Sequence, residues 1–98
     1  MYDIRLTKQA EKDAVLIQRV GLKPKAAKLV SIVRLDPFQS PPEYEELQGA
    51  RQGSYSRRIN RQHRFVYQVL PNTENLKDEN DEIYEGIVKI IRMWTHYE

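Results

Sequence analysis

The chain has no cysteine, two histidines, four glycines and no long apolar run. Without cysteine there can be no disulfide, thiolate metal site or cysteine nucleophile, and the composition suits a cytoplasmic protein. The two histidines have no paired Asp/His spacing around them, so nothing resembles a zinc or iron site. The carboxylates of 78–82 lack the Asp-x-Asp-x-Asp-Gly loop and closing glutamate of a calcium site, and read as a solvated loop. No glycine-rich phosphate loop is present and no Ser/His/Asp set stands out, which sets aside nucleotide hydrolysis and acyl transfer. No stretch approaches the roughly 18–20 apolar residues that span a membrane. Met1-Tyr2-Asp3-Ile4-Arg5-Leu6 lacks the apolar core of a signal peptide. No metal, no cofactor and no membrane are expected.

What is present is one domain's worth of chain. Its 98 residues, 40% hydrophobic and 31% charged, allow a single core in a domain spanning 1–98. The net charge of +2 conceals an asymmetry. Of 16 basic and 14 acidic residues, one lysine and five acids fall in 74–82, leaving 15 and 9 elsewhere. A basic body carries an acidic loop, read as an insertion at 71–82. A basic face draws polyanions in a salt-dependent way, although the same charges also serve simply to solvate a surface.

The order of elements follows from periodicity. Tyr2, Ile4 and Leu6 alternate with Asp3 and Arg5, predicting a first strand. Thr7 is placed to cap a helix over 8–20, with Ala10, Ala14, Ile17 and Val20 on one side and Gly21 closing it. Pro24 suits the start of a second helix whose stripe is Ala26, Leu29, Val30 and Val33, and Asp36-Pro37 ends it. After a proline-rich loop, Ser54–Ile59 and His63–Leu70 read as a hairpin around Asn60-Arg61-Gln62. Ile83–Thr95, apolar on both faces near its middle, reads as a strand central to the sheet. The expected fold is α+β, in the order β-α-α-β-β-β: two helices packed on one face of a mostly antiparallel, four-stranded sheet.

Ser56-Arg57-Arg58-Ile59-Asn60-Arg61-Gln62-His63-Arg64-Phe65-Val66-Tyr67 sets arginines among apolar residues, and no acid interrupts the chain between Glu46 and Glu74. The pattern suits a strand pair with one buried and one cationic face. A carboxylate precedes it and His96-Tyr97 close the chain. Those groups can cleave RNA without a metal. One group takes the 2′-hydroxyl proton, an arginine's planar fork holds the phosphate, and an imidazole protonates the leaving 5′-oxygen.

Tyr2-x-Ile4-x-Leu6-Thr7-x-x-Ala10-x-Lys12-Asp13, Asp36-Pro37-Phe38, Ser56-Arg57-Arg58-Ile59, His63-Arg64-Phe65-Val66-Tyr67 and His96-Tyr97 together resemble the YoeB/Txe toxins of the RelE/ParE superfamily. The resemblance covers nearly the whole chain and implies a RelE-like, microbial-ribonuclease-like fold. It also implies an endoribonuclease acting on mRNA in the ribosomal A site and silenced by a cognate antitoxin of the YefM/Axe kind. Carried over by position, Glu45 becomes the general base, Arg64 the phosphate-stabilising arginine, His96 the general acid and Tyr97 the tyrosine that holds the RNA or supports the acid. Arg51, Arg57 and Arg58 are expected to contact RNA, and Lys8, Lys12, Lys25 and Lys28 to meet ribosomal RNA through its phosphates. Gln48 stands where the family often has a lysine, and Glu46 rivals Glu45 as the base. A homodimer is left open.

Each residue has a plainer reading. Arg58 and Arg64 can be solvated strand residues, His96 an ordinary terminal residue, Tyr97 a core ring, and Glu45 and Glu46 surface charges. His63 is read as a strand residue, and Met93 and Trp94 as core. Two rival functions are a ParE-like toxin acting on DNA gyrase without nuclease activity, and a module whose arginines grip nucleic-acid phosphate.

Overall fold

The computed structural model describes residues 1–49 and 53–94. Tyr2–Leu6 forms β1, Lys8–Arg19 α1, Lys23–Leu35 α2, Tyr44–Glu46 β2, Ser54–Arg58 β3, Arg64–Leu70 β4 and Gly86–Arg92 β5. Thr7 caps α1 by accepting the Ala10 N–H at 3.0 Å, and its hydroxyl donates to Ile91 O at 3.0 Å, tying the helix start to β5. Gly21 takes φ +78° in the turn between the helices, a conformation that suits glycine. Asp36 is already extended at φ −155°, as a residue before proline should be.

The sheet order is β1-β5-β4-β3-β2, with β1 parallel to β5 and every other pair antiparallel. Both helices lie on one face. Ala10, Ile17, Ala26, Leu29 and Val33 bury against Phe65, Tyr67, Val88 and Ile90. Each large apolar side chain removed from water contributes roughly 1.5–3 kcal/mol. The mixed α+β architecture is the expected one, with a fifth strand added. β2 is three residues long, too short for an alternation to register, and it pairs with β3 as Tyr44↔Arg57, Glu45↔Ser56 and Glu46↔Tyr55.

The last strand is shorter than Ile83–Thr95. Ile83 instead bridges Lys77 inside the acidic loop, and β5 begins at Gly86. A Cβ there would lie 2.9 Å from both Leu70 O and the Tyr2 ring, so only glycine passes between β4 and β1. A bulge interrupts the β4–β5 register between Val66 and Tyr67, which face Arg92 and Ile90. The loop itself is hydrogen-bonded. The Asn72 amide donates to Leu76 O and Tyr84 O, and the Asp78 carboxylate accepts from Asn80 N and Glu82 N. It joins the end of β4 to the start of β5, at the opposite end of both strands from Arg64 and Arg92. Among the described residues no helix is long and apolar enough to cross a membrane.

Candidate active site

On the sheet face away from the helices, pairing gathers four polar side chains. Residues directly opposite on antiparallel strands share a face. Glu45 opposes Ser56 across β2 and β3, and Arg58 opposes Arg64 across β3 and β4. With Pro42 and Glu43 they line a pocket of about 250 Å³. The Arg64 Nε donates to Ser56 Oγ at 2.8 Å, and its Nη2 lies 3.6 Å from Glu45 Oε2. Arg64 is recessed, with 16% of its side chain exposed, whereas Glu45 is 71% exposed. An ion pair that open to water adds little stability. Two arginines directly opposite each other cost stability unless an anion comes between them. The pocket thus sets two arginines beside two carboxylates, Glu43 and Glu45.

The other face of the same strands holds a cation out of reach. Adjacent strand residues point to opposite faces, so Arg57 and Arg58 cannot share one. Arg57 is fully buried. Its Nε donates to Tyr67 Oη at 3.1 Å, its Nη1 to Pro42 O at 2.6 Å and its Nη2 to Pro37 O at 3.0 Å, and its guanidinium lies 4.9 Å from the centre of the Tyr44 ring. The Tyr67 hydroxyl in turn donates to Pro37 O at 2.6 Å. Burial raises the Tyr67 pKa, although Arg57 beside it pulls the other way. The expectation that Arg57 contacts RNA is thereby corrected: it ties the 37–42 segment to the sheet.

At the exit of β5 stands a second buried charge. Asp13 of α1 accepts from Arg92 Nε at 2.8 Å, Met93 N at 3.0 Å and Trp94 N at 3.3 Å on one oxygen, and from Gln9 Nε2 at 3.1 Å on the other. Burial alone would raise its pKa, but the bonds from Met93, Arg92 and Gln9 outweigh that and hold it below the ordinary carboxylate value. The Trp94 ring stacks on His63 with centroids 4.1 Å apart. Among the described residues, no group of three or more metal-ligating side chains could hold an ion.

Residues 6–97 match the family model described as the YoeB-like toxin of bacterial type II toxin–antitoxin systems. The chain belongs to that family. Among solved structures the toxin is similar to a YoeB/ParE toxin from Agrobacterium tumefaciens, with 26% identity and a TM-score of 0.79, covering 97% of this chain and 99% of that one. It is similar also to the YoeB–YefM complex from Staphylococcus aureus, at 26% identity and a TM-score of 0.70, covering 99% of each chain. YafQ from E. coli, at 19% identity and a TM-score of 0.70 over 98% of this chain and 94% of that one, shares the fold. No curated protein is a significant match.

Of the residues the sequence singles out, the toxin's pocket brings together Glu45, Arg58 and Arg64. Glu46 opposes Tyr55 and falls on the other face, leaving Glu45 on the pocket side. Lys8 and Lys12 are exposed on α1, in the layer on the far side of the sheet, and do not line the pocket. Arg51, His96 and Tyr97 lie outside the described residues. Ser56, which orients Arg64, and Glu43, a second carboxylate at the rim, escaped sequence reasoning. Strand period 2 carries the signal for both, since Ser56 stands two residues from Arg58 and Glu43 two from Glu45.

Proposed function

We propose that this toxin is a cytoplasmic endoribonuclease that cuts messenger RNA in the ribosomal A site without a metal, and that a cognate antitoxin of the YefM/Axe kind silences it. The observation that carries the reading is the recessed Arg64, fixed by Ser56 and paired with Glu45 across from Arg58. In the proposed reaction Glu45 takes the proton from the ribose 2′-hydroxyl. The 2′-oxygen attacks the adjacent phosphorus, and Arg64 and Arg58 neutralise the charge gathering on the phosphoryl oxygens. The bond from phosphorus to the 5′-oxygen breaks, and His96 gives that oxygen a proton. The products are a 2′,3′-cyclic phosphate and a 5′-hydroxyl.

In the chain His96 stands two residues beyond Trp94. Trp94 stacks on His63, the neighbour of Arg64. The ribosome supplies what a 98-residue protein has little surface for, a long RNA held in place. Lys8, Lys12, Lys25 and Lys28 form a separate cationic layer for ribosomal phosphate.

The test is cleavage of a defined mRNA on programmed ribosomes, beside the same RNA free in solution, with both new ends identified chemically. Cuts within the A-site codon bearing a cyclic phosphate and a 5′-hydroxyl are expected. Glu45→Gln and His96→Gln should each slow them by roughly 10²–10⁴-fold while binding persists. Intact mRNA after exposure to folded, antitoxin-free toxin would overturn the proposal.

A further inference from the structure

We infer that a second groove on the pocket face of the sheet is the seat of an extended partner peptide carrying aliphatic side chains and a carboxylate. The inference rests on the proposed silencing by an antitoxin, and names where that partner takes hold. The groove, of about 610 Å³, sets Arg5, Lys89 and Glu74 around Leu70, Leu76 and Ile87. Ile87 and Lys89 alternate with Val88 and Ile90 of the core, so they point away from the helices. Lys89 opposes Gln68 and Ile87 opposes Leu70. The bulge puts its extra residue into β5, so the alternation of β4 runs unbroken from Arg64 to Gln68 and Leu70. Glu74 and Leu76 come from the 71–85 connection, which walls the groove.

Lys89 interrupts an otherwise apolar central strand and stands directly opposite Arg5. Like charges so placed are unfavourable until an anion joins them. Arg5 Nε already donates to Asp3 at 2.6 Å, whereas among the described residues the Lys89 ammonium has no hydrogen-bond or ion-pair partner. Leu70 is exposed, and Leu76 and Ile87 are half-buried, so apolar surface lies wet beside that cation. An RNA phosphate would meet Lys89 but leave the floor uncovered and face Glu74, and the lining offers a base no aromatic ring to stack on. A peptide meets both needs: an aliphatic side chain covers the floor and a carboxylate joins Lys89.

The groove and the cleavage pocket lie within reach of one chain. Lys89 faces a residue four positions from Arg64, about 14 Å away at roughly 3.4 Å per strand residue. An extended peptide covers that distance in about four residues. A segment anchored in the groove therefore carries its next residues to Arg58 and Arg64, where further carboxylates compete with RNA phosphate.

The experiment titrates purified cognate antitoxin into wild-type toxin, Lys89→Glu, Lys89→Gln and Leu70→Gln, with a single-stranded RNA of about 12 nucleotides as the second probe. Lys89→Glu should weaken antitoxin binding at least about tenfold, Lys89→Gln less, and Leu70→Gln by roughly 3–10-fold. Antitoxin-free cleavage on programmed ribosomes and Tm should stay at wild type, since neither side chain lines the cleavage pocket. Antitoxin affinities within about twofold of wild type for Lys89→Glu and Leu70→Gln would overturn the inference. If the antitoxin still blocked cleavage, the silencing reading would stand. A loss confined to Lys89→Glu that fades at about 0.5 M salt would mark long-range attraction without a seat, and would overturn it as well. RNA affinity that falls with Lys89→Glu while antitoxin affinity holds would give the groove to nucleic acid instead. An antitoxin that binds wild type without stopping cleavage would remove the silencing reading and this inference together.

Discussion

Replacing Arg57 by alanine separates a buried anchor from a phosphate contact. The guanidinium donates to Tyr67 Oη, Pro42 O and Pro37 O and sits over the Tyr44 ring. Hydrogen bonds from a charged donor are worth roughly 1.5–3 kcal/mol each. Against them stands the cost of desolvating a buried charge, several kcal/mol in real proteins. Alanine removes both and leaves a cavity, but Pro37 O keeps the Tyr67 hydroxyl as a donor. The net loss should be about 3 kcal/mol, within the usual range for truncating a large buried side chain. For a domain near 100 residues, 1 kcal/mol moves Tm by roughly 4–8 °C, so Tm should fall by roughly 12–24 °C. Methionine refills most of the space with no charge to desolvate, and its loss should be nearer 1–2 kcal/mol. Thermal unfolding followed by circular dichroism reads both variants. The opposite outcome is an alanine variant within about 0.5 kcal/mol of wild type whose RNA affinity has a salt slope reduced by about 1. That result would put Arg57 on phosphate and refute the cage.

Three further outcomes are expected. Asp13 has a depressed pKa in the folded state, so its contribution is fully present above the unfolded carboxylate pKa near 3.9 and is lost as pH falls through the lower folded value. Urea midpoints should therefore drop below about pH 4, and Asp13→Asn should shrink that drop, whereas an unchanged slope would contradict the assignment. Gly86→Ala must push its Cβ against Leu70 O and the Tyr2 ring, and should destabilise by about 1–3 kcal/mol in chemical denaturation. Ser56→Ala leaves Arg64 Nε without its hydroxyl acceptor, and should slow ribosome-bound cleavage by roughly tenfold or more with little change in Tm; equal rates would show that Ser56 does not orient Arg64.

The parts of the fold legible in the sequence are those whose periodicity extends over several residues. The β3–β4 hairpin, both helices and the strand character of 86–92 follow from alternation, caps and turns. β2 was not legible, because three residues after a proline-rich loop carry no period and its partner lies ten residues on. Arg57 departs from the expectation because side-by-side residues on a strand cannot share a face, and Arg58 takes the pocket side. Asp13 stands three residues after Ala10 and four before Ile17, inside the apolar stripe. A charge in that stripe needs a buried partner, and Arg92, 79 residues later, cannot be found by local pattern. Of the pocket, Arg58 and Arg64 stood out as an alternating cationic set, while Glu45 came from the family resemblance. No composition distinguishes it from Glu46; register does.

The pocket sits at the weakest margin of the sheet, against a three-residue edge strand that cannot hold itself in place. Its rigidity has to come from elsewhere, and the buried Arg57 contributes to it. Arg57 pairs with Tyr44 and holds the carbonyls of Pro37 and Pro42, so it fixes the chain that delivers Glu45 one residue later. Asp13 holds the exit of β5, from which the chain continues to His96. Both lie outside the pocket; Arg57 makes two of its three hydrogen bonds to backbone, and Asp13 two of its four. A short edge strand is thereby held in place while Glu45 on its outer face stays open to solvent. Under the proposed reaction, loosening the Arg57 anchor should lower the cleavage rate before it weakens RNA binding, because Arg64 is held separately by Ser56 and Glu45.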